Sequence, residues 1–255
     1  MRLFQKLKRS IIATVLVWPL TANGHETIDK LSLYTEDYAP LNFIQDGRLT
    51  GISIDLMEEM LKRAGANQNR DSIKVVPWDQ GYVTVQNRPN SALFAMVRAK
   101  NREQQFHWVG PIAKTSIVLI GRESNDQPLQ SLDQLSGARI AAVNNDVGHQ
   151  LLLEQGFDPT GIQLISSPQT AIGLLNSGEV DYWAYDQLVV SWHLNQSGNR
   201  SSLTARYILG QGEYYFAFNK RTDRRIIVVF RQILDEMRED GSLEKILGRY
   251  MTSDH

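Results

Sequence analysis

Apolar residues in this chain follow two alternating patterns, short runs typical of strands and helical spacings typical of amphipathic helices. Leu31 and Leu33 alternate with polar neighbours, as in a strand that is buried on one face. The apolar residues from Met57 to Ala64 fall at positions i, i+3, i+4 and i+7, which predicts a helix. Gly47 lies between these elements and predicts a turn, because glycine takes positive φ without steric cost.

The same alternation continues along the rest of the chain. Further strands are predicted at residues 73–77, 93–97, 111–120, 139–143, 162–165, 180–185 and 214–218. Helices are predicted at residues 83–87, 132–135 and 149–155, and from Pro168, Thr222 and Ser242 onward. Strands that alternate with helices indicate an α/β protein with parallel sheets, whose functional loops lie at the carboxyl ends of the strands.

Residues 1–24 differ in composition from the rest of the chain. Four basic residues precede an apolar run from Ile11 to Leu20, and small residues follow at Ala22 and Gly24. This is the pattern of a secretory signal peptide, so we expect the mature chain to begin near His25. A membrane anchor is the alternative, and it is disfavoured because the apolar run is shorter than the ~20 residues that cross hydrocarbon.

Charge and cysteine content narrow the range of functions. Residues 25–255 hold 23 basic and 28 acidic residues, a net charge of −5, which disfavours nucleic acid as a partner. The chain has no cysteine, which excludes disulfides, thiol catalysis and a lipid-modified cysteine. The five histidines show no metal-ligand spacing, and no cofactor-binding motif is present. We expect a monomeric periplasmic protein without metal or cofactor.

Six short motifs follow one another in a fixed order between Leu31 and Met251. They are Thr35-x-x-Tyr38-Ala-Pro40 with Asp46-Gly47, Phe106-x-Trp-x-Gly-Pro111, Ser131-Leu-x-x-Leu135-x-Gly137, Asn176-x-Gly178-x-Val180-Asp181, Phe216 to Lys220, and Gly241-Ser-Leu-x-x-Ile246. Each motif is weak alone. Together they resemble the amino-acid-binding members of family 3 of the extracellular solute-binding proteins, which serve ATP-binding-cassette importers.

This resemblance implies a fold as well as a function. The type II periplasmic-binding-protein fold has two α/β lobes, each with a parallel or mixed sheet flanked by helices. Two crossing strands form a hinge between the lobes, and the ligand lies in the cleft. On this basis we expect lobe 1 at residues 25–114 and 212–255, and lobe 2 at residues 115–211.

The resemblance also implies two charged ligand contacts. Arg102 corresponds to the arginine that binds the ligand carboxylate. Arg98, directly after a predicted buried strand, is the alternative candidate, and Arg102 would then be a surface residue paired with Glu103. Asp186, five residues after Asp181, corresponds to the carboxylate that binds the ligand ammonium group. Its alternative role is to cap a following helix.

Two aromatic residues and one loop complete the predicted site. Tyr38 and Trp78 are candidates for the walls that enclose the carbon chain of the ligand, with core packing as the alternative. The loop from Asn144 to Gly148 leads into a helix whose free backbone amides favour an anion, and the resemblance assigns carboxylate binding to it. Asp146 within this loop opposes an anion and can instead cap the helix.

These features predict a protein that captures an amino acid or a related carboxylate by hinge closure and delivers it to the membrane permease of an importer. No catalytic residue is predicted. One alternative is a cleft enzyme that resembles cyclohexadienyl dehydratases and uses Asp146, Asp186 or His149 as its acid–base residue. Another is a sensor module that presents its ligand to a receptor. Because Thr35 and Ala99 depart from the family pattern, the resemblance transfers no ligand identity.

Overall fold

The computed structural model describes residues 27–123, 129–196 and 203–251, so the predicted signal peptide lies outside it. The strands are β1 (Ser32–Thr35), β2 (Phe43–Gln45), β3 (Arg48–Thr50), β4 (Ile73–Val75), β5 (Ser91–Val97), β6 (Phe106–Val109), β7 (Lys114–Arg122), β8 (Ile140–Val143), β9 (Ile162–Ile165), β10 (Tyr182–Asp186) and β11 (Leu203–Asn219). The helices are α1 (Ile52–Arg63), α2 (Trp78–Asn87), α3 (Val147–Glu154), α4 (Pro168–Ser177), α5 (Gln187–Gln196), α6 (Arg224–Glu239) and α7 (Ser242–Met251). Short 3₁₀ helices include Lys100–Arg102 and Leu132–Leu135.

One sheet of nine strands runs through the described parts of the chain, in the order β4-β1-β5-β11-β7-β10-β8-β9, with β6 also paired to β11. The first part of β11 pairs with β7 as far as Glu213, and the part from Tyr214 onward pairs with β5 and β6. We call the structure around β1, β4, β5 and β6 lobe 1, and that around β8, β9 and β10 lobe 2. The expected fold class is confirmed, and the residue boundaries of the lobes stay a prediction.

Each lobe combines parallel and antiparallel pairs. In lobe 1, β1 lies between β4 and β5 and is parallel to both, and in lobe 2, β8 is parallel to both β9 and β10. The long strands β7 and β11 pair antiparallel to each other and cross between the lobes. The carboxyl ends of the parallel strands in both lobes therefore supply loops to the region where the lobes meet.

The helices pack their apolar faces onto these sheets as the spacing predicts. Met57, Met60 and Leu61 of α1 are fully buried, as is Phe230 of α6. Each such side chain contributes roughly 1.5–3 kcal/mol through removal from water. None of the described helices combines the length and apolar character needed to cross a membrane.

Several predicted elements begin or end elsewhere in the structure, and three of these differences have a local explanation. β11 begins at Leu203, whereas only residues 214–218 were expected, because its first part is rich in polar residues and is identified as a strand only by its pairing with β7. α2 begins at Trp78 and includes Gly81, whose missing side chain leaves room for Leu93. Asp223 rather than Thr222 caps α6, and its carboxylate accepts the backbone N–H of Arg225.

The turn predicted at Gly47 is confirmed. A second glycine with positive φ, Gly51, lies close against the backbone of Leu41. β2 and β3 form a hairpin in which Gly47 has a φ of 75°. Gly51, just before α1, has a φ of 121° and a ψ of 170°, a conformation open essentially to glycine alone. A Cβ atom at Gly51 would lie 2.4 Å from the carbonyl oxygen of Leu41. The loop that carries Tyr38 is therefore held against the start of α1.

Gly51→Ala is expected to lower the free energy of unfolding by roughly 3 kcal/mol, since it adds both backbone strain and a clash with backbone. Gly47→Ala is the matched control, because Gly47 also has positive φ but a Cβ there meets nothing within 4 Å. That control is expected to cost about 1 kcal/mol. Urea denaturation of both variants measures the difference, and equal losses would contradict the importance of the contact with Leu41.

Candidate functional site

A group of polar and aromatic side chains, all of them buried except the partly exposed Glu36, lies where lobe 1 meets lobe 2. Its members follow the carboxyl ends of β1, β4, β5 and β8, lie at the end of β10, or lie on the crossing strands β7 and β11. We call this group the interlobe cluster, and it consists of Glu36, Tyr38, Trp78, Tyr82, Arg102, Thr115, Asp146, Tyr185, Asp186 and Tyr214. The cluster contains five of the seven predicted site residues.

Arg102 lies at the centre of the cluster and has no solvent exposure. Its Nη1 donates to the carbonyl oxygen of Val97 at 3.3 Å, within lobe 1. Its Nε donates to Oε1 of Gln150 at 2.9 Å, and its Nη2 donates to the carbonyl oxygen of Asn145 at 2.8 Å. Both of these acceptors belong to lobe 2. Arg102 therefore ties the two lobes together.

Every hydrogen-bond acceptor of Arg102 is uncharged. None of the ion pairs among the described residues involves Arg102. A guanidinium has five N–H groups, so one N–H on each terminal nitrogen is left after the three bonds to protein. The guanidinium also lies 5.3 Å from the ring centroids of both Trp78 and Tyr82. Burial lowers the pKa of Arg102, whereas the charge of Asp146 opposes that shift.

Arg98 occupies a different environment. It forms a two-bond ion pair with Glu103, with Nε and Nη2 at 2.7 Å and 2.5 Å from the carboxylate oxygens. Its side chain is about one third exposed and lies over the ring of Tyr215. Glu103 thus pairs with Arg98, and Arg102 is not the surface residue that the alternative required.

Asp186 is fully buried at the end of β10. One carboxylate oxygen accepts the hydroxyl of Thr115 at 2.7 Å, and the other accepts the backbone N–H groups of Leu188 and Val189 at the start of α5. Burial raises the pKa of Asp186 to about 6, although the hydrogen bonds it accepts favour the charged form. The helix-capping role of Asp186 is therefore present in the structure and uses one carboxylate oxygen. The other oxygen contacts the cluster member Thr115.

Asp146 is also buried, and its Oδ2 makes no hydrogen bond within the described part of the protein. It directly precedes α3, whose first backbone amides, with the charge of Arg102, favour the ionised form. Burial nevertheless raises the pKa of Asp146 above its usual value. A buried carboxylate oxygen without a donor is costly unless something else pairs with it.

The rest of the predicted loop has a supporting role in the structure. Asn144 is partly exposed, and its backbone N–H donates to the carbonyl oxygen of Ile165. Asn145 has a φ of 59°, a conformation that asparagine tolerates better than most residues. Its carbonyl oxygen thereby reaches Arg102. The sequence did not identify Asn145 and Gln150 as site residues, because their contacts with Arg102 form only when the two lobes meet.

Tyr38 and Trp78 are buried on the lobe 1 side of the cluster. The ring of Tyr38 meets that of Tyr185 edge-on with centroids 5.6 Å apart, and that of Tyr214 at 6.3 Å. Nε1 of Trp78 is buried and makes no hydrogen bond with the described residues. The hydroxyl of Tyr214 interacts with Asp186, Thr115 and Tyr38. The cluster therefore offers an unpaired indole donor in addition to the unpaired oxygen of Asp146.

Glu36 is a cluster member that sequence reasoning missed. Although the residue is partly exposed, its carboxyl group is closely surrounded by protein, and this burial raises its pKa well above the usual value. The charges of Asp146 and Asp37 raise the pKa further, and Arg102 lowers it. The sequence feature that could have identified Glu36 is its position two residues before Tyr38, in the same predicted loop.

A groove of about 910 Å³ opens beside the cluster at the crossing strands. Its lining includes Arg98, Gln187, Glu213 and Tyr215, and it reaches Thr115, whose hydroxyl donates to Asp186. The groove is therefore next to the cluster, and Arg98 belongs to the groove rather than to the buried centre.

Comparison with known proteins gives a family match over most of the chain. Residues 32–253 match the bacterial extracellular solute-binding proteins, family 3. The L-cystine-binding protein TcyA of Bacillus subtilis is 23% identical over 207 residues, which cover 81% of this chain and 74% of that relative. A probable histidine-binding protein of Campylobacter jejuni is 24% identical over 219 residues, with coverage of 84% and 81%.

A solved structure shows the same fold. The substrate-binding protein of an ATP-binding-cassette uptake transporter from Streptococcus pneumoniae, solved with bound histidine, superimposes with a TM-score of 0.78. The alignment covers 90% of this chain and 96% of that one, at 15% identity. At this identity the likeness concerns the fold, with two lobes joined by crossing strands.

Proposed function

Since the chain belongs to family 3 of the bacterial extracellular solute-binding proteins, we propose that it binds an amino acid or a close relative within the interlobe cluster. The main support for this proposal is that Arg102 is fully buried and that its hydrogen-bond partners are all uncharged. Two of its N–H groups make no hydrogen bond to the described residues, and a ligand carboxylate that accepts both removes the cost of leaving buried donors unpaired. The relatives that are named for cystine and histidine support this class of ligand.

In this proposal Arg102 holds the ligand carboxylate. The two N–H groups that it does not use toward protein lie on its two terminal nitrogens, and a carboxylate can accept both. Asp186 holds the ligand ammonium group, while Tyr38 and Trp78 pack against the carbon chain. Arg98, paired with Glu103 outside the buried cluster, is not assigned a ligand contact.

Binding is coupled to closure of the lobes about β7 and β11. Arg102 already contacts lobe 2 through Asn145 and Gln150, and Phe43 of lobe 1 lies 5.5 Å from Trp192 of lobe 2, measured between ring centroids. A ligand between the lobes adds contacts to both and favours the closed form. We propose that the protein acts as an exported monomer and that a membrane permease recognises this closed form.

A panel of the common L-amino acids, each added to purified protein in a thermal-unfolding assay, tests the proposal. A ligand present at 100 times its dissociation constant is expected to raise the free energy of unfolding by roughly 2.7 kcal/mol. Mass spectrometry of small molecules released from protein purified without denaturation identifies the ligand independently. Failure of every amino acid to stabilise the protein, with no small carboxylate released, would overturn the proposal.

The enzymatic alternative is separated by the fate of the ligand. A binding protein returns its ligand unchanged, whereas a cleft enzyme that uses Asp146, Asp186 or His149 would convert it. Proton NMR of the ligand after incubation with stoichiometric protein is expected to show the starting compound only. Appearance of product that disappears in the Asp186→Asn variant would support the enzyme instead.

A further inference from the structure

Three carboxyl groups and one guanidinium are the acidic and basic side chains of the interlobe cluster, apart from its tyrosines. The carboxyl groups belong to Glu36, Asp146 and Asp186, and the guanidinium to Arg102. Among the charged groups that act on Glu36 and Asp146 within the described residues, Arg102 is the one cation. The cluster therefore carries an excess of negative charge whenever all three carboxyl groups are ionised.

A ligand that is a simple zwitterion leaves this excess in place. Its carboxylate adds a negative charge beside Arg102, and its ammonium adds a positive charge beside Asp186, so the net charge does not change. Glu36 and Asp146 then keep an unbalanced charge in a region that closure removes from water, which is unfavourable. A second cationic group on the ligand reduces the excess from two negative charges to one.

The geometry of Asp146 supports such a group. The residue is more than nine-tenths buried, and its Oδ2 has no hydrogen-bond donor within the described structure. The charges of Asp146, Asp37 and Arg102 all act on the carboxyl group of Glu36. Burial raises the pKa values of both carboxyl groups, as expected for acids that await a counter-charge.

We infer that Glu36 and Asp146 form a second cation-binding site in the cleft, and that the ligand is an amino acid with a basic side chain. The inference rests on the proposed function, since it assigns the α-carboxylate and α-ammonium groups to Arg102 and Asp186. Glu36 comes from lobe 1 and Asp146 from lobe 2, so a side-chain cation held between them joins the lobes.

Matched pairs of ligands test the inference on the unmodified protein. L-Arginine is compared with L-citrulline, and L-lysine with L-norleucine, by isothermal titration calorimetry at pH 7.5. Within each pair the shape is similar and the side-chain charge differs. At least one basic ligand is expected to bind no less than tenfold more tightly than its neutral partner.

Two substitutions then locate the site. Glu36→Gln and Asp146→Asn are each expected to lower the ratio of basic to neutral affinity at least fivefold. Asp46→Asn is the control, because Asp46 is an exposed lobe 1 carboxylate in the turn between β2 and β3, and it is expected to leave the ratio unchanged. Two positions in different lobes keep the test valid if one variant folds poorly.

The outcomes separate the inference from the proposed function. Equal affinities within both ligand pairs, together with tight binding of a neutral amino acid from the wider panel, would overturn the second cation site and leave the proposed function intact. Preference for the basic ligand that survives both substitutions would also overturn the assignment to Glu36 and Asp146. Absence of binding by every amino acid would overturn both proposals together.

Discussion

Arg102→Met is expected to weaken binding of the tightest amino-acid ligand by at least ~30-fold, which corresponds to about 2 kcal/mol. Removing one member of a buried, hydrogen-bonded charge pair usually costs about 2–5 kcal/mol, because the remaining charge stays buried without its partner. In this case the ligand carboxylate would be left against the rings of Trp78 and Tyr82. Calorimetric titration of wild-type and variant proteins measures the loss.

The matched control is Arg98→Met, four residues earlier in the chain. Arg98 is partly exposed and paired with Glu103, and such surface pairs contribute about 0–1 kcal/mol. We therefore expect this variant to bind within about 3-fold of wild type. A large loss in Arg98→Met with little change in Arg102→Met would show that the carboxylate is held in the groove.

Arg102→Lys distinguishes the guanidinium from a simple positive charge. Lysine keeps the charge but lacks the planar pair of terminal nitrogens that binds a carboxylate through two bonds. We expect it to recover only part of the affinity that Arg102→Met loses. Circular dichroism and a thermal melt of the ligand-free variants confirm folding, so that a loss of structure is not mistaken for a loss of binding.

Asp186→Asn is expected to have opposite effects on stability and on binding. The pKa of Asp186 is about 6 in the folded protein against an ordinary value of 3.8. Between these values the folded state holds the proton more tightly than the unfolded state, so the wild-type free energy of unfolding falls as pH rises from about 4 to about 6. Above that window the ionised group costs up to about 3 kcal/mol in the ligand-free protein.

Asparagine avoids this cost because it carries no charge, and its side-chain oxygen can still accept the backbone N–H groups at the start of α5. The ligand-free variant is therefore expected to be more stable than wild type at pH 7.5 and nearly equal to it at pH 4. Its ligand affinity is expected to fall at least ~30-fold, since the ammonium loses its anionic partner. Urea denaturation at the two pH values, with and without ligand, measures both effects.

Asp181→Asn provides the comparison within the same strand region. Asp181 is partly exposed and pairs with Arg139, so its charge is not deeply buried, and it is not a member of the interlobe cluster. The control is expected to show no pH-dependent gain in stability and an affinity close to wild type. A stability gain at pH 7.5 in both variants would point to a general effect of surface charge, and the assignment to Asp186 would be wrong.

Local patterns were enough for most of the elements in each lobe. The helix at Met57 to Ala64, the turn at Gly47 and the helix that begins at Pro168 all follow from spacing and backbone preference within a few residues. These features depend on neighbours in the chain, which is why they can be predicted from sequence. The fold class followed from the resemblance, because six motifs in order constrain the topology more than any one element does.

The membership of the interlobe cluster was harder to predict from the sequence. The sequence indicated Tyr38, Asp186 and Arg102 as site residues. It did not decide whether Arg98 or Arg102 is the buried arginine, since both follow the same strand and both have a nearby glutamate. The structure buries one and exposes the other because the 3₁₀ turn at Lys100–Arg102 directs Arg102 toward lobe 2. That difference arises from contacts with residues more than 40 positions away.

The sequence by itself determined the alternation of strands and helices, the family pattern and the presence of charged residues after the strands. Only the tertiary structure decided which of those charges meet. Glu36 and Asp146 lie 110 positions apart in the chain, and their mutual effect exists only once the two lobes approach. Burial and charge interaction depend on distance in space, whereas sequence patterns report distance along the chain. The interlobe cluster is defined by distance in space.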